Sequence, residues 1–578
     1  MSGAKNSSLD TPTNAPLAPD APEILPGEKR WISGLLLALL GLRVWGAWKI
    51  EFTSDESQHL HVVWAWANHL WPYHGIPSLP YRDVFDNHTP LFHLLCAPLF
   101  RLFGETAQVM ISMRLAMIPI FAASLWFVAK IGAALFSRRA GWWAAVFAGW
   151  FPFLLLKSVE FRTDDLWMAV WLAAVAIAIG GPLTPRRMGA VGLILGAAFG
   201  VSMKTVLLTL ALLLAGLVVF MLGRQGGAPG RTRAVLAGLG AAFAGLLIVP
   251  AAVVIFFAAR HAADALYYGT IGHNLIPDAA HGSRKAWRHF VFPVALPPLI
   301  FAASWIFRRT ADRAQGLRRA LVFLTCGFFV VLLRSYWSMI TGQDFLPVAP
   351  LLIALATPGV LALGGAGWPR LALPLAVVAL EAAGAIKMAR LRAAADVDLG
   401  QLAEVLHLTD PGDYVMDAKS GAIFRRRPFY YALEDLTEKR LHRGLIKDEI
   451  VERMIATRTC VASDKRLTGR VLDFLRANYI PAAGRYRIAG QYLHPDADGR
   501  VAFGIEIATA YVLVTPQGPA SGKLDGQPYR GKVSLDAGPH EFVSDAPSKP
   551  LGVVWAQAME RGFQPNFSSE PETKPDAP

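Results

Sequence analysis

Long apolar segments separated by short polar or basic stretches make up most of the first two thirds of the chain. A membrane-spanning helix needs about 20 apolar residues, and some of these segments are shorter, so their number is predicted only to within about two. The pattern predicts about eleven membrane-spanning helices. The segments occupy residues 31–48, 110–136, 142–156, 166–180, 188–201, 206–222, 235–258, 292–307, 320–333, 345–363 and 371–388.

The predicted membrane domain occupies residues 29–391 and contains one long outer loop at 49–109. Residues 1–28, which precede it, are rich in Pro, Ala and Ser. Such a segment buries too little apolar surface to fold, so it predicts a disordered tail. In the long loop, apolar and aromatic residues recur at helical spacing in HLHVVWAWANHLWPY. This spacing predicts a helix that lies in the membrane interface and does not cross it.

After residue 391 the composition becomes that of a soluble protein. A turn and strand in DPGDYVMDA and two amphipathic helices, in KDEIVERMIATRT and GRVLDFLRANY, predict a small α/β unit at 392–480. Five alternating segments, YRIAGQYL, VAFGIEI, AYVLVTP, YRGKVSL and HEFVSD, predict a small β-sandwich-like module at 481–562. Residues 563–578 are predicted to form a disordered tail. The predicted fold is therefore mainly α, a polytopic membrane protein with a soluble α/β and β-sandwich region at its C-terminal end.

The composition agrees with a membrane protein and excludes a soluble globular one. Of the 578 residues, 54% are hydrophobic and 17% are charged, and the mean hydropathy is +0.37. The net charge of +13 comes mostly from short arginine pairs in the loops between spans. Because these pairs form no continuous basic face, the predicted partner is the lipid bilayer and not nucleic acid.

Basic residues in alternate loops set the predicted orientation. The stretches EKR, SRRAG, TPRR, GRQGGAPGRTR, RRTADRAQGLRR and WPR all lie in one set of alternate loops, as cytoplasmic loops do under the positive-inside rule. We therefore expect the N-terminus in the cytoplasm. Because the predicted number of spans is odd, we expect the soluble C-terminal region on the opposite, outer side of the membrane.

Two acidic pairs lie next to predicted spans on the outer side. Asp55 and Glu56 follow the first span in EFTSDESQHLH, where they could cap a helix leaving the bilayer or take part in catalysis. Asp164 and Asp165 follow Arg162 in FRTDDLWMAVWLAA and open directly into an apolar helix. Charges at the edge of the hydrocarbon are costly and usually face a cavity or a partner, which favours a functional role for this second group.

The order of the polar motifs resembles that of the C-type glycosyltransferases, a family that includes protein O-mannosyltransferase-like enzymes and the aminoarabinose transferases acting on lipid A. The motifs are the acidic pair after the first span, YRDVFDNHTP, ISMRLAMIP, FRTDD, SMKT and QDFLPVAPLL, and they cover residues 55–350. The resemblance implies that a sugar carried on a polyprenyl phosphate is moved to an envelope acceptor, with inversion at the anomeric carbon. It also implies that the acceptor is a lipid, glycan or protein at the outer face of a bacterial inner membrane.

The resemblance further implies roles for individual residues. Asp55 matches the carboxylate that accepts or orients the acceptor proton, with Glu56 as its neighbour and Asp164 and Asp165 as the next candidates. The leaving lipid phosphate needs positive charge and hydrogen-bond donors as its own charge develops. The candidates for that role are Arg82, His88, Arg114, Arg162 and Lys204. Arg114 and Lys204 lie at the ends of spans and could instead extend their charges to the membrane interface.

Two features depart from the family's pattern. Relatives often have a lysine before proline in the loop motif, whereas this chain has NHTP, so that His88 takes the basic position. A histidine is only partly charged near neutral pH, which weakens a phosphate-binding role unless neighbouring carboxylates favour its protonated form. The outer loop YYGTIGHNLIPDAAHGSRKAWRH is rich in histidine. In it His273, Asp278 and His281 could hold a divalent metal with an aspartate of FRTDD, or the loop could be solvated and attract phosphate.

Two other classes of function fit a polytopic membrane protein of this composition. A transporter or flippase for an envelope lipid or glycan would also carry acidic residues along its substrate path. The chain shows no internal repeat, and its charges gather on one face instead of near the midplane, which favours the transferase. A non-catalytic envelope assembly protein that has kept the fold is the third class. Apart from the candidate metal, no cofactor is predicted.

Overall fold

The computed structural model describes residues 24–68, 84–223, 231–275, 313–337, 340–364, 369–390, 395–467, 469–482, 484–547 and 549–567. Within these ranges a helical membrane domain is followed by a soluble region that contains the strands. Most of both predicted tails, the predicted span at 292–307 and the site candidates Arg82, Asp278 and His281 lie outside the described residues.

The membrane domain consists of helices. They are α1 (Pro26–Lys49), α2 (Ser54–Ala67), α3 (Leu91–Phe103), α4 (Val109–Ala116), α5 (Ile118–Leu135), α6 (Arg138–Trp150), α7 (Pro152–Lys157), α8 (Thr163–Ile179), α9 (Pro185–Val201), α10 (Thr205–Gly223), α11 (Arg231–Ala258), α12 (Ala263–Tyr267), α13 (Arg313–Tyr336), α14 (Ala349–Leu363) and α15 (Pro369–Arg390). A π-helical turn, Tyr268–Gly272, follows α12, and a 3-10 turn, Gly342–Phe345, precedes α14. Each predicted span within the described residues coincides with one helix or with two consecutive helices.

Six helical segments of the described chain are long and apolar enough to cross a membrane. They are Pro26–Lys49, Val109–Leu135, Thr205–Gly223, Thr232–Ala258, Arg313–Tyr336 and Arg370–Ala389. Other predicted spans form shorter helices, and a proline at the start of α7 separates it from α6, because proline cannot continue the hydrogen-bond ladder. The mainly helical fold of a multi-pass membrane protein is confirmed, whereas the number of eleven spans stays a prediction.

The first helix begins at Pro26, three residues before the predicted start of the membrane domain at residue 29. Proline is favoured in a first helical turn because its missing N–H has no helical partner there. Glu28 is buried, and it accepts hydrogen bonds from Arg139 Nε and from Trp143 Nε1, both at 2.7 Å. These contacts with α6 hold residues 26–28 in a helix, although their composition predicts a disordered tail.

The long outer loop contains α2 and α3, which pack against each other. The predicted helix in HLHVVWAWANHLWPY is present as part of α2. Its side chains from Gln58 to Ala67 are all buried, so protein covers α2 on every side. The expectation that this helix lies against the membrane interface therefore does not describe its packing, because neighbouring helices and the soluble region contact its aromatic residues.

The soluble region contains five helices and twelve strands among the described residues. The helices are α16 (Ala395–Leu408), α17 (Asp435–His442), α18 (Ile450–Ala456), α19 (Gly469–Asn478) and α20 (Ala556–Glu560). The strands are β1 (Val415–Met416), β2 (Val461–Ser463), β3 (Tyr479–Pro481), β4 (Tyr486–Leu493), β5 (Arg500–Ile505), β6 (Thr509–Thr515), β7 (Gly518–Pro519), β8 (Gly522–Leu524), β9 (Gln527–Pro528), β10 (Val533–Leu535), β11 (Gly538–Ser544) and β12 (Leu551–Trp555). The helices and strands that the sequence pattern predicts here are present.

The strands form two sheets. An eight-stranded sheet has the order β1-β2-β4-β12-β6-β10, with β3 also on β4 and β7 on β6, and a four-stranded sheet has the order β5-β11-β8-β9. The pair β1–β2 is parallel, with Val415 opposite Val461, and the other strand pairs are antiparallel. The predicted boundary at residue 480 falls inside β3, whose Tyr479 pairs with Ala489 of β4. The predicted α/β and β modules therefore share one sheet, because β4 pairs with strands from both.

The soluble region packs on the long outer loop of the membrane domain. The backbone N–H of Phe52 donates to Asp398 at 3.0 Å, and the Nδ1 atom of His61 lies 2.8 Å from the carbonyl oxygen of Ile423. Arg425 Nη1 lies 3.3 Å from a carboxylate oxygen of Glu105. The contact of Ile423 holds the segment that follows β1 against α2.

Candidate active site

A cavity of about 300 Å³ lies where loops of the membrane domain meet the soluble region. Its charged and ionisable lining includes Asp55, His88, Arg162, Asp164, Lys204, Lys419 and Glu434. The lining comes from loops that join helices of the membrane domain, from the first turns of α2 and α8, from the end of α9 and from the soluble region. Both signs of charge therefore face one cavity.

Asp55 lies in the first turn of α2, and 37% of its side chain is exposed. Its carboxylate accepts hydrogen bonds from Arg162 Nη1 at 2.6 Å and from Lys419 Nζ at 2.5 Å. Burial alone would raise the pKa of Asp55, but the charges of Arg162 and Lys419 lower that pKa below its usual range. Asp55 is therefore ionised, and it holds two cations at the cavity.

Glu56 has different surroundings, although it is the next residue in the chain. It forms a capping box with Thr53, and both of its carboxylate oxygens accept from Arg114, at 2.7 and 2.6 Å. The backbone N–H of Phe161 also donates to it at 2.9 Å. Glu56 and Arg114 are fully buried and outside the cavity lining, so this pair joins α2 to α4 and to the segment before α8.

Arg162 precedes α8 and connects the two acidic groups that the sequence singles out. Its Nε donates to Asp164 at 3.1 Å, while its Nη1 holds Asp55 and lies 3.6 Å from Glu160. Asp164 lines the cavity, whereas Asp165 is buried away from it. The carboxylate oxygens of Asp165 have no hydrogen-bond partner among the described residues. The structure thus brings Asp164, and not Asp165, to the cavity.

His88 is one end of a row of ionisable side chains in mutual contact, and the other members of the row are buried. Its Nδ1 lies 3.0 Å from one oxygen of Asp86, and the other oxygen lies 2.9 Å from Nδ1 of His93. The Nε2 atom of His93 is 2.9 Å from Nδ1 of His59, which also lines the cavity. Burial would raise the pKa of Asp86, but His93 and His88 lower it below its usual range. His88 and His59, at the two ends of this row of side chains, therefore both reach the cavity. The carboxylate of Asp86 between them is ionised.

Lys204 lies in the turn between α9 and α10. Its ammonium group pairs with the buried carboxylate of Asp344, and its Nζ lies 5.5 Å from the centre of the Trp337 ring. Lys204 and Arg162 both contribute positive charge to the cavity, whereas Arg114 is enclosed by Glu56. Of the described residues that are candidates for binding the lipid phosphate, Arg114 is thus the one that lies away from the cavity.

The metal candidate His273 is buried beside α17. Its Nε2 lies 3.4 Å from Glu434 and 3.3 Å from the hydroxyl of Thr437, and its ring stacks on Tyr431. Within the part of the chain that the structure describes, no group of three or more His, Cys, Asp or Glu side chains could hold a metal ion. The contacts of His273 join the π-helical turn to the soluble region.

Four residues at the site, Lys419, Glu434, Asn87 and His59, are not singled out by the sequence. Lys419 and Glu434 come from the soluble region, where neither belongs to a motif, and Asn87 Nδ2 donates to Glu434 at 2.6 Å. His59 lies on an apolar helix face, where a histidine is usually a buried core residue. The available signal for Asn87 was its place in the DNHTP stretch next to His88.

Comparison with known proteins finds solved structures of similar fold. No protein-family model and no curated protein sequence matches the chain. The crystal structure of ArnT from Cupriavidus metallidurans bound to undecaprenyl phosphate has a TM-score of 0.56 and 12% identity, over 80% of this chain and 98% of that one. Its apo state gives a TM-score of 0.55 and 13% identity over the same shares. The chain therefore has the fold of the C-type glycosyltransferases, as the order of its membrane motifs predicts.

Proposed function

We propose that the chain is an inverting glycosyltransferase that moves a sugar from a polyprenyl-phosphate donor to a hydroxyl group of an envelope acceptor. The observation that carries this proposal is the cavity, in which the ionised Asp55 lies beside Arg162 and across from Lys204 and His88. Its fold neighbour ArnT was crystallised with undecaprenyl phosphate, which supports a lipid phosphate as donor. A carboxylate and a group of cations are the two components that such a transfer needs.

In the proposed reaction the acceptor oxygen forms a bond to the anomeric carbon of the sugar. The bond between that carbon and the phosphate oxygen breaks, and its electron pair leaves with the polyprenyl phosphate, which gains one negative charge. The acceptor proton passes to Asp55, which Arg162 holds in place. Arg162, Lys204 and His88 stabilise the charge that develops on the phosphate.

The buried candidates have supporting roles in this proposal. Glu56 and Arg114 fix the first turn of α2 and so position Asp55. Asp164 orients Arg162 through its bond to Nε. Asp86 holds one ring nitrogen of His88, which directs the rest of the ring to the cavity.

The proposed location is the inner membrane of a bacterium, with the N-terminus in the cytoplasm and the cavity on the outer side. The arginine pairs in alternate loops support this orientation. The acceptor is then a lipid, glycan or protein of the cell envelope. The lipid tail of the donor would remain in the bilayer beside the membrane domain.

The test is mass spectrometry of the lipid that co-purifies with the full chain, followed by transfer assays with synthetic undecaprenyl-phosphate sugars. We expect a polyprenyl phosphate or its glycosylated form to co-purify, and we expect release of undecaprenyl phosphate that depends on an acceptor. A chain that moves labelled lipid between leaflets of vesicles without cleaving the sugar would be a flippase. A chain that binds lipid but neither moves nor cleaves it would be a non-catalytic assembly protein.

A further inference from the structure

The segment after β1 brings one cation of the soluble region into the membrane domain. Lys419 is buried, lines the cavity and donates to Asp55 at 2.5 Å, across 364 residues of sequence. Asp55 already has Arg162 as a partner. Arg162 is shared with Asp164 and Glu160, whereas Lys419 donates to Asp55 alone among the described residues, so Lys419 has fewer partners at the cavity than Arg162 has.

The turn that carries Lys419 is held rigidly by the carboxylate of Asp417. That carboxylate accepts the backbone N–H groups of Lys419, Ser420, Gly421 and Ala422, at 2.9, 2.5, 2.9 and 2.9 Å. A carboxylate that binds this many backbone donors fixes the conformation of a turn, as in a helix cap or an anion nest. The Cα position of Lys419 is thereby set relative to α2.

The next residues of the turn have backbone conformations that L-residues rarely adopt. The φ angles are 56° at Gly421, 49° at Ala422 and 66° at Ile423, and the last of these is β-branched. Such residues persist only where surrounding contacts determine them, and they concentrate at functional sites. Here the contact is with α2 itself, because the carbonyl oxygen of Ile423 lies 2.8 Å from Nδ1 of His61.

The ammonium group of Lys419 has unused hydrogen-bonding capacity. A lysine has three N–H donors, and the structure records one acceptor for this group among the described residues, the carboxylate of Asp55. The ammonium group therefore has two further donors, and Lys419 lines a cavity that Arg162 and Lys204 also line. A phosphate, with several acceptor oxygens and a negative charge, satisfies such donors better than a neutral sugar hydroxyl does.

We propose that Lys419 is a phosphate-binding residue that the soluble region supplies to the active site, and that it leaves Asp55 for the donor phosphate when the donor binds. This inference rests on the proposed function and adds a residue and a coupling to it. In the free protein Lys419 keeps Asp55 ionised and weakly basic. Transfer of Lys419 to the phosphate leaves Arg162 as the partner of Asp55, so that the carboxylate becomes a better base only when the donor is present.

The first test compares binding of undecaprenyl phosphate to the purified full chain and to Lys419→Met. We expect the variant to bind roughly 10- to 100-fold more weakly, as for the loss of a charge-assisted contact. Lys419→Arg keeps the charge and should bind within a few-fold of the wild type. The matched control is Lys439→Met, on an exposed lysine of α17, which should leave binding unchanged. Equal binding by the wild type and Lys419→Met would overturn the proposal.

A second comparison covers the case in which Lys419→Met fails to fold because it removes one partner of the pair with Asp55. Asp55→Asn and the double variant Asp55→Asn with Lys419→Met leave no unpaired carboxylate, so their binding of undecaprenyl phosphate can be compared directly. We expect Asp55→Asn to bind undecaprenyl phosphate about as well as the wild type does, and the double variant to bind it more weakly. Equal binding by the two would overturn the proposal.

The pH profile separates this proposal from a purely structural role of Lys419. In the free protein the charge of Lys419 lowers the pKa of Asp55, so its removal should raise that pKa and move the acid limb of the kcat/KM profile of Lys419→Met, which reports the free protein, to higher pH. An unshifted acid limb contradicts the coupling. Binding needs no turnover, so a wild type that binds lipid phosphate through Lys419 but transfers no sugar contradicts the proposed function alone. A wild type that transfers sugar with no dependence on Lys419 contradicts the present proposal alone.

Discussion

Asp55 and Glu56 are neighbours in the chain, and the structure gives their carboxylates opposite surroundings. Asp55 is partly exposed at the cavity and holds two cations, whereas Glu56 is fully buried and bound by Arg114 and by two backbone N–H groups. A general base must reach its substrate, so exposure favours Asp55 for chemistry. A saturated buried ion pair favours Glu56 for positioning.

Asp55→Asn should lower the turnover of sugar transfer by roughly 100-fold or more, because an amide cannot accept the acceptor proton. Binding of undecaprenyl phosphate should stay close to that of the wild type, since the cations of the cavity remain. Steady-state transfer and equilibrium binding measure the two effects separately. Near-normal turnover would reduce Asp55 to a helix cap and leave Asp164 as the next candidate for the base.

Glu56→Gln should act mainly on stability, because it leaves the Arg114 charge buried without its carboxylate. Breaking a buried ion pair by removing one partner costs about 3–5 kcal/mol, which should appear as a marked drop in Tm of the detergent-solubilised chain. Glu438→Gln, on an exposed residue of α17, is the control and should leave Tm unchanged. A Glu56→Gln variant with normal Tm and strongly reduced turnover would instead assign chemistry to Glu56.

At the scale of elements, α9 and α11 pack with their backbones in close contact. A Cβ atom added at Gly192 would lie 1.9 Å from the carbonyl oxygen of Ala242, and one added at Gly245 would lie 2.3 Å from that of Gly189. Small residues allow this approach in membrane helices, where packing and not hydrophobic burial drives association. Because α9 leads directly into the turn with Lys204, this pair of helices also positions one wall of the cavity.

Gly192→Leu should separate α9 from α11 and destabilise the folded chain by about 1–3 kcal/mol, the usual range for overpacking. Thermal unfolding in detergent measures the change. The control is Gly216→Leu in α10, because nothing lies within 4 Å of a Cβ atom added there. Equal Tm values for the two variants would show that the close contact contributes little to stability.

At the scale of the whole molecule, the cavity is lined by segments that follow alternate predicted spans. Asp55 follows the first predicted span, Arg162 the third, Lys204 the fifth and Lys419 the last. Residues after odd-numbered spans must lie on one side of a membrane, so their meeting in one cavity agrees with the alternation of the basic loops. Because one predicted span precedes Asp55, we predict that the N-terminus lies on the side of the membrane away from the cavity.

A reporter enzyme that is active only outside the cytoplasm should be active in cells when fused after residue 400. The same reporter should be silent when fused at Gly226, in a loop that carries three arginines. Comparable amounts of both fusion proteins, measured by immunoblot, provide the control. The reverse pattern of activity would place the cavity in the cytoplasm and contradict the proposed location of the reaction.

The sequence by itself determined the features that depend on local pattern. The apolar segments predicted the helices of the membrane domain, and alternating residues predicted strands such as β4 and β11, because these periods follow from the geometry of a single element. Motif order predicted the fold, and it placed Asp55, Arg162 and Asp164 near one face. Each of these inferences needs only residues that lie close together in the chain or their order along it.

Only the tertiary structure decided which of these residues share a site. Lys419 reaches Asp55 across 364 residues, and no periodicity or motif records such a contact. Local sequence also cannot tell an exposed Asp55 from a buried Glu56, because both occupy the first turn of one helix and differ only in what packs on them. The sequence also did not predict that the α/β and β modules on either side of residue 480 share one sheet, because strand pairing joins partners that are distant in sequence.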